Sequence, residues 1–200
     1  MWEERYSGSK DYVFGTAPAR FLLDHDQYLT AGHTALAVAD GEGRNSVHMA
    51  QKGLSVTALE FAPTAIARAH ALAKANSVTL DIHQTDVLRD PWPAATYDLV
   101  AGIFIQFVGP EGRRIQFQRM KEATKPGGLV MLHGYRPEQI ERGTGGPPFR
   151  ENMYTDVILR AAFVGWEVLE CHSYEKAIHE GRGHSGVSAL IDFVARKPEA

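Results

Sequence analysis

The chain has 200 residues, of which 44% are hydrophobic and 22% are charged, the composition of an ordinary globular domain with a sizeable core. A formal net charge of -3 without a polybasic run argues against nucleic acid as a partner. The single cysteine excludes an intrachain disulfide framework and favours a reducing, cytoplasmic location. No apolar run approaches the length of a membrane span, and the charged N-terminus lacks the apolar core of a signal peptide, so we expect no membrane partner.

The first 30 residues form an N-terminal extension that is rich in aromatic side chains, among them Trp2, Tyr6 and Phe14. Aromatic segments of this kind can fold over a ligand and exclude water. We therefore predict that residues 1–30 act as a lid, and that Thr16 caps a short helix within them.

The next segment joins a short apolar run to two closely spaced glycines. Residues 35–39 predict a first strand, Gly41 and Gly43 follow it, and a helix begins near Arg44 and ends at Gly53. Glycines let the backbone approach a ligand closely, and a helix N-terminus presents unpaired N–H groups. Such a turn is typical of cofactor binding in open α/β sheets, although a simple tight turn has the same pattern.

The second predicted strand, residues 54–60, ends on the acidic side chain of Glu60. A carboxylate here, fewer than twenty residues after the glycines, suits the hydroxyl groups of a ribose. Phe61 follows directly and offers a flat apolar face. The alternatives are a solvated strand end or a helix cap for Glu60, and ordinary core packing for Phe61.

Strand and helix patterns alternate through the middle of the chain, which predicts a parallel sheet with right-handed crossovers. Two late strands without a long helix between them predict an antiparallel hairpin at one edge. The fold class is therefore α/β: a single Rossmann-like, doubly wound, mostly parallel sheet of about seven strands. The remaining predicted elements are a helix that begins at Pro63 and ends before Asn76, strands at 78–83 and 97–103, a helix at 111–123, a turn at 126–128, a strand at 129–133, a helix at 151–163, and strands at 166–174 and 187–195.

Residues 134–150, rich in Gly and Pro, interrupt this alternation. Because loops above the carboxyl ends of strands hold substrates, we predict a substrate-loop insertion within one domain of residues 1–200. The substrate-side candidates are His133, Tyr135, Arg136 and, in a later loop, His184. Arg136 could hold an anion and His133 could act as a base, although an exposed arginine is more often solvated and a lone histidine more often structural.

Five segments resemble the class I S-adenosylmethionine-dependent methyltransferases, and within them the small-molecule group of tellurite-resistance and thiopurine methyltransferases. The segments are ADGEGRNS at 39–46, VTALEFAP at 56–63, TDV at 85–87, YDLV at 97–100 and KPGGL at 125–129. The aromatic N-terminus, WxxxY followed by YxFG, resembles the lid of that group. The resemblance covers the whole chain and implies an enzyme that uses S-adenosylmethionine as its cofactor.

The resemblance also implies the positions of the cofactor contacts. The glycine turn would pass under the methionine part, Glu60 would bond the ribose hydroxyls, and Asp86 would face the adenine amino group. Asp86 could instead cap a turn, and Phe104 could belong to the core. The implied cofactor-binding residues are Tyr6, Phe14, Asp40, Gly41, Gly43, Arg44, Glu60, Phe61, Asp86, Val87, Gly102, Ile103 and Phe104.

Two positions depart from the family pattern. The family usually has an acid in the first strand and a glycine just after it, and this chain has Ala37 and Ala39 there. Asp40 could supply the negative charge for the cofactor's ammonium from a shifted position. A Rossmann dehydrogenase fits less well, because its Gly-x-Gly-x-x-Gly pattern needs a glycine where Ser46 stands.

The resemblance implies methyl transfer to a small-molecule nucleophile, a thiol or chalcogen of the tellurite, selenium or thiopurine kind. Such a soft, ionised nucleophile needs almost no acid–base help, whereas a hydroxyl or amine needs a base. An O- or N-methyltransferase of a small metabolite and a non-catalytic S-adenosylmethionine-binding module remain as alternatives. The histidines lack a close pair with metal-ligand spacing, so we expect no metal, and we expect a monomer or homodimer.

Overall fold

A seven-stranded sheet forms the centre of the computed structural model, which describes residues 2–181 and 185–199. The strands are β1 (Thr34–Val38), β2 (Ser55–Glu60), β3 (Asp81–Gln84), β4 (Tyr97–Ile103), β5 (Thr124–Tyr135), β6 (Glu167–His179) and β7 (Ser185–Arg196). Their order across the sheet is β3-β2-β1-β4-β5-β7-β6. The first five strands pair in parallel, and β7 runs antiparallel to both β5 and β6. The predicted mostly parallel sheet with an antiparallel edge hairpin is confirmed.

Helices connect β1 to β2, β2 to β3 and β4 to β5, as the sequence pattern predicts, whereas a loop connects β3 to β4. The helices are α1 (Trp2–Ser7), α2 (Arg20–Asp24), α3 (Arg44–Gln51), α4 (Pro63–Ala75), α5 (Pro110–Ala123) and α6 (Asp156–Ala162), with 3-10 turns at Asp26–Tyr28, Pro137–Glu141 and Arg150–Asn152. The prolines that start α4 and α5 favour those boundaries, because a backbone N–H in the first turn of a helix has no hydrogen-bond partner within the helix. None of the helices in residues 2–181 and 185–199 is long and apolar enough to cross a membrane.

Two apolar layers cover the two faces of the sheet. Successive residues of β1 point to opposite faces, so that Leu36 packs in one layer while Ala35 and Ala37 pack in the other. One layer adds α5 and α6, and the other adds α2, α3 and α4. This sandwich holds the carboxyl ends of the parallel strands at one common edge, which is where open α/β sheets bind ligands.

The largest difference from the predicted elements lies in β5. The strand begins at Thr124 rather than at residue 129, because the predicted turn at 126–128 is a bulge inside it. Gly127 has a φ of 73° there, a left-handed conformation that glycine adopts without strain. The bulge accommodates the turn without ending the pairing of β5 with β4.

The predicted helix at 151–163 and the predicted cap at Thr16 are also corrected. A 3-10 turn occupies Arg150–Asn152, and α6 begins only at Asp156, where the Thr155 hydroxyl accepts the N–H of Ile158 at 3.2 Å. In the N-terminal segment, Ala19 rather than Thr16 precedes α2. The side-chain hydrogen bond of Thr155 favours the observed start of α6, and the apolar pattern does not encode it.

Candidate cofactor and acceptor site

A pocket of about 680 Å³ lies at the carboxyl ends of β1, β2 and β4 and beneath α1. This volume falls within the usual range for small-molecule sites. Twelve of the residues predicted from the sequence line it: Tyr6, Phe14, Asp40, Gly41, Arg44, Glu60, Phe61, Asp86, Val87, Ile103, Phe104 and Tyr135. The structure therefore brings most of the predicted cofactor residues to one cavity.

The turn after β1 forms the floor of this pocket. Ala39 has a φ of 48° and Gly41 a φ of 68°, so the backbone is left-handed at both positions. A Cβ atom on Gly41 would lie 2.9 Å from the hydroxyl oxygen of Tyr6, so glycine lets the N-terminal segment come close to the turn. Ala39 holds a conformation that costs a residue with a side chain on the order of 1–2 kcal/mol, at the position where the resembled family has glycine.

Glu60 joins the turn after β1 to the beginning of α4. One carboxylate oxygen accepts the N–H of Gly41 at 2.8 Å, and the other accepts the N–H groups of Phe61 and Ala62, each at 2.8 Å. Burial raises the pKa of the Glu60 carboxyl, and these three hydrogen bonds oppose the shift. Because a carboxylate offers about four acceptor positions, about one remains for a ligand hydroxyl.

Asp40 is a second carboxylate of the pocket wall. The hydroxyl of Ser46 donates to one of its oxygens, and the Ser46 backbone N–H donates to the other at 3.3 Å. Burial raises the pKa of the Asp40 carboxyl to about 6, and the negative charge of Glu60 adds to the shift. At neutral pH the pocket therefore holds an ionised carboxylate that a ligand cation would stabilise.

Replacement of Asp40 by Asn should stabilise the protein at neutral pH, because it removes a carboxylate whose ionised form is penalised by burial. The folded-state pKa of about 6 lies above the ordinary value of 3.8, so wild-type stability falls as the pH rises from the ordinary pKa through 6. At about 1.4 kcal/mol per pKa unit, the gain at pH 7 is on the order of 1–3 kcal/mol.

Urea denaturation of both proteins across this pH range measures the gain. The stability difference between variant and wild type should shrink as the pH falls below about 6. A difference that does not change with pH would mean that Asp40 has an ordinary pKa.

The pocket wall beside β2 and β3 contains an apolar side chain, Phe61, and an acidic side chain, Asp86, that already has protein partners. The Phe61 side chain is 58% exposed and lines the pocket. Asp86 accepts the N–H of Leu88 at 3.0 Å, and its carboxylate lies 3.5 Å from the Arg89 guanidinium. Asp86 therefore caps a turn while it lines the pocket, and its contact with adenine stays a prediction.

Phe104 forms the wall that follows β4. Its φ of 56° is unusual for a bulky side chain and is typical of residues held in place at functional sites. Its N–H donates to the carbonyl oxygen of His133 at 2.8 Å, and its ring centre lies 4.6 Å from that of His133 and 4.9 Å from that of Tyr135. These contacts fix the ring over the pocket.

Two predicted glycines lie outside the described pocket wall. A Cβ atom on Gly43 would come within 2.8 Å of the Cα atom of Ala69 in α4. A Cβ atom on Gly102 would come within 2.7 Å of Ile105 and 2.9 Å of Leu132 in the core. Both glycines therefore allow close packing, and their contact with the cofactor stays a prediction.

Of the substrate-side candidates, Tyr135 lines the pocket, while His133 and Arg136 are absent from its described wall. The buried His133 ring lies with its Nδ1 2.6 Å from Asp192 and stacks on Phe21. Arg136 pairs with Glu138 at 3.0 Å. His184 lies outside the described residues. His133 is thus buried beside Asp192, Arg136 is half-buried in an ion pair, and their roles toward a substrate stay predictions.

The N-terminal segment lies across the pocket mouth. The carboxylate of Glu3 accepts the N–H of Thr64 at the start of α4, at 3.0 Å. The ring centres of Trp2 and Phe107 lie 6.3 Å apart in an edge-to-face arrangement. Farther along, the buried carboxylate of Glu42 accepts the N–H of Val13 at 2.7 Å. The predicted lid is thus docked on both sides of the pocket.

Several polar lining residues were missed by the sequence analysis. The buried side chain of Gln106 accepts the N–H of Tyr135 at 2.6 Å and donates to its carbonyl at 2.7 Å. A polar residue shortly after a strand end is the signal that could have identified it. The other missed polar residues of the wall are Arg5, Asn45, Thr85 and Asn152. Within the described ranges, no group of three His, Cys, Asp or Glu side chains is placed to hold a metal ion.

The glycine turn, the Glu60 carboxylate and the exposed Phe61 ring lie together at one edge of the sheet. Residues 35–128 match the methyltransferase domain family. Comparison of the sequence with curated proteins gave no match.

Solved structures with the same fold include methyltransferases. TehB from Haemophilus influenzae is 20% identical with a TM-score of 0.76, and the alignment covers 98% of this chain and 67% of that one. A protein described with the conversion of a disulfide bond into a thioacetal group during echinomycin biosynthesis is 18% identical with a TM-score of 0.80, covering 98% and 90%. The N-methyltransferase NodS from Bradyrhizobium japonicum WM9 is 15% identical with a TM-score of 0.67, covering 90% and 98%. Residues 35–128 therefore match a methyltransferase domain family, and the chain has the class I fold of the S-adenosylmethionine-dependent methyltransferases.

Proposed function

We propose that this methyltransferase acts on a small thiol or chalcogen nucleophile, of the tellurite, selenium or thiopurine kind. In this proposal Glu60 holds the ribose, Phe61 and Val87 flank the adenine, and Asp40 faces the ammonium of the methionine part. The support is that all these groups line one pocket of suitable size. S-adenosylmethionine supplies an activated methyl group when it is bound, so the chain has to align the acceptor and exclude water.

The observation that carries this proposal is the chemistry of the wall around the acceptor end. Phe104, Phe107, Tyr135 and Phe149 give it an aromatic surface. Among the described lining residues there is no His, Lys or Cys, and the carboxylates are Asp40, Glu60 and Asp86. We assign these carboxylates to the cofactor, so the acceptor must bring its own ionised nucleophile. Thiolates and selenolates do so near neutral pH, whereas alcohols do not.

Methylation of a hydroxyl or amine is the second candidate. The specific observation in its favour is Asp40, because a carboxyl whose pKa is raised to about 6 is closer to that of an effective general base. NodS, with the same fold, is described as an N-methyltransferase. The protein of echinomycin biosynthesis is described with chemistry at a disulfide, which favours sulfur.

The proposal extends to the setting in which the enzyme acts. We infer a cytoplasmic location, supported by the single cysteine, Cys171, and we expect a monomer or homodimer. We also infer one domain over residues 1–200, with residues 1–30 as a movable lid and residues 134–150 as the acceptor loop. Support for the loop comes from residues 145–149, which line the pocket.

The test uses three acceptors of one shape: thiophenol, phenol and aniline. Purified enzyme with S-adenosylmethionine should methylate thiophenol and its selenium analogue fastest, because these acceptors are ionised near neutral pH without help from the protein. Among substituted thiophenols, the pH dependence of kcat/KM should follow the pKa of the thiol. The proposal would be replaced by base-assisted chemistry if the enzyme preferred phenol or aniline and if Asp40→Asn lowered the rate of that methylation by more than about 100-fold.

A further inference from the structure

We propose that Arg5 and Trp2 form a binding site for a negatively charged group, a carboxylate or an oxyanion of similar shape, carried by the methyl acceptor. The inference rests on the proposed transfer to a small molecule and narrows its substrate class to anionic acceptors. Both residues belong to α1 and line the pocket.

Arg5 contributes a positive charge to the pocket wall, and no described carboxylate forms an ion pair with it. The cationic side chains of the described pocket wall are Arg5 and Arg44. Arg44 lies 2.7 Å from the carboxylate of Glu180, and both side chains of that pair are nearly buried. Arg5 has no carboxylate within ion-pairing distance in the part of the chain that the structure describes. An anion entering the pocket therefore meets one free guanidinium.

Two aromatic rings hold that guanidinium in place. Its central carbon lies 5.2 Å from the ring centre of Trp2 and 5.0 Å from that of Phe14. Cation–π contact stabilises the group over the ring faces and leaves its N–H edges available. Because the planar fork of N–H donors matches a carboxylate, an arginine positioned in this way can bind one through two parallel hydrogen bonds.

Trp2 supplies an unused donor in the same wall. Its indole Nε1 is buried and has no hydrogen-bond partner among the described residues. A buried N–H without an acceptor is unfavourable, so an acceptor atom from a ligand would stabilise this arrangement. The ring also meets Phe107, which follows β4, so Trp2 lies beside the aromatic end that we assign to the acceptor.

A carboxylate can come from two sources, the acceptor or the methionine part of the cofactor. The test compares thiosalicylate with thiophenol, two aromatic thiols that differ by one carboxylate, and measures the affinity for S-adenosylhomocysteine by calorimetry. Arg5→Gln should raise the Michaelis constant for thiosalicylate by about tenfold or more, since a charge-assisted hydrogen bond is lost. The Michaelis constant for thiophenol and the Kd for S-adenosylhomocysteine should change less than about twofold.

Three further variants sharpen the comparison. Arg5→Lys keeps the positive charge but not the planar guanidinium, so it should raise the Michaelis constant for thiosalicylate by less than Arg5→Gln does. Trp2→Phe keeps an aromatic ring but not the indole N–H, and it should also raise the Michaelis constant for thiosalicylate. Lys10→Gln removes one charge from the same segment at an exposed position outside the pocket wall. It should leave every constant unchanged.

The outcomes separate the possibilities. Weaker binding of S-adenosylhomocysteine in Arg5→Gln, with equal effects on the two thiols, would assign the carboxylate to the cofactor and overturn the acceptor assignment. Unchanged constants throughout would overturn the site itself. If neither thiol is methylated, the proposed function fails. Calorimetric titration of thiosalicylate into the complex of the protein with S-adenosylhomocysteine then still tests Arg5. Weaker binding of thiosalicylate in Arg5→Gln would support the site, and unchanged binding would overturn it.

Discussion

Replacing Gly43 by Ala is expected to lower the free energy of unfolding by about 2–4 kcal/mol. The backbone there has a φ of 89°, and a Cβ atom would lie 2.8 Å from both Cα and Cβ of Ala69. Because the obstacle is the backbone of α4 rather than the end of a flexible side chain, α3 and α4 would have to move apart. Urea denaturation measures the loss.

Gly32→Ala is the matched control for this substitution. Its φ is 84°, but a Cβ atom there would have no heavy atom within 4 Å. It should therefore show only the left-handed backbone cost, on the order of 1 kcal/mol. Equal losses for the two variants would mean that Gly43 is required for its backbone angle alone and not for the approach of the two helices.

Replacing Glu60 by Ala is expected to weaken S-adenosylmethionine binding by about 1–3 kcal/mol, a factor of about 5 to 150, because the ribose hydroxyls would lose their charged acceptor. The same change should reduce stability, since the N–H groups of Gly41, Phe61 and Ala62 all donate to this carboxylate. Calorimetric titration measures the first effect and urea denaturation the second.

Two further variants separate binding from folding. Glu60→Gln keeps an acceptor oxygen for part of the hydrogen bonds, so it should lose less stability than Glu60→Ala while still losing affinity. Glu167→Ala, at an exposed position at the start of β6, should change neither affinity nor stability appreciably. A folded Glu60→Ala protein with wild-type affinity would remove Glu60 from the cofactor site.

The fold and the grouping of most predicted cofactor residues in one pocket could be predicted from the sequence, because both depend on local order along the chain. An apolar run, a glycine turn, a helix and a second strand ending on Glu60 define a βαβ unit, and its geometry brings Asp40, Gly41 and Glu60 to one edge. The resemblance added the positions after β3 and β4. None of this required knowledge of a distant contact.

Contacts between residues that are distant along the chain could not be predicted from the sequence. Nothing in the sequence shows that Ala69 packs against Gly43. The pairing of His133 with Asp192 of β7 likewise depends on strand order and register. That Arg5 lacks a carboxylate partner could not be predicted from the sequence either, because the sequence does not show that Glu180 pairs with Arg44 rather than with Arg5.

The strand order has a consequence for the assembly of the sheet during synthesis. β6 is made before β7, yet β7 lies between β5 and β6 and provides the only strand pairing of β6 in the described sheet. Until residues 185–196 have left the ribosome, the β6 segment has no partner strand with which to pair, and its apolar residues remain outside the folded sheet. Five strands can pair early, whereas the last two must enter together. Interruption of the chain within β7 would therefore cost the sheet two strands rather than one.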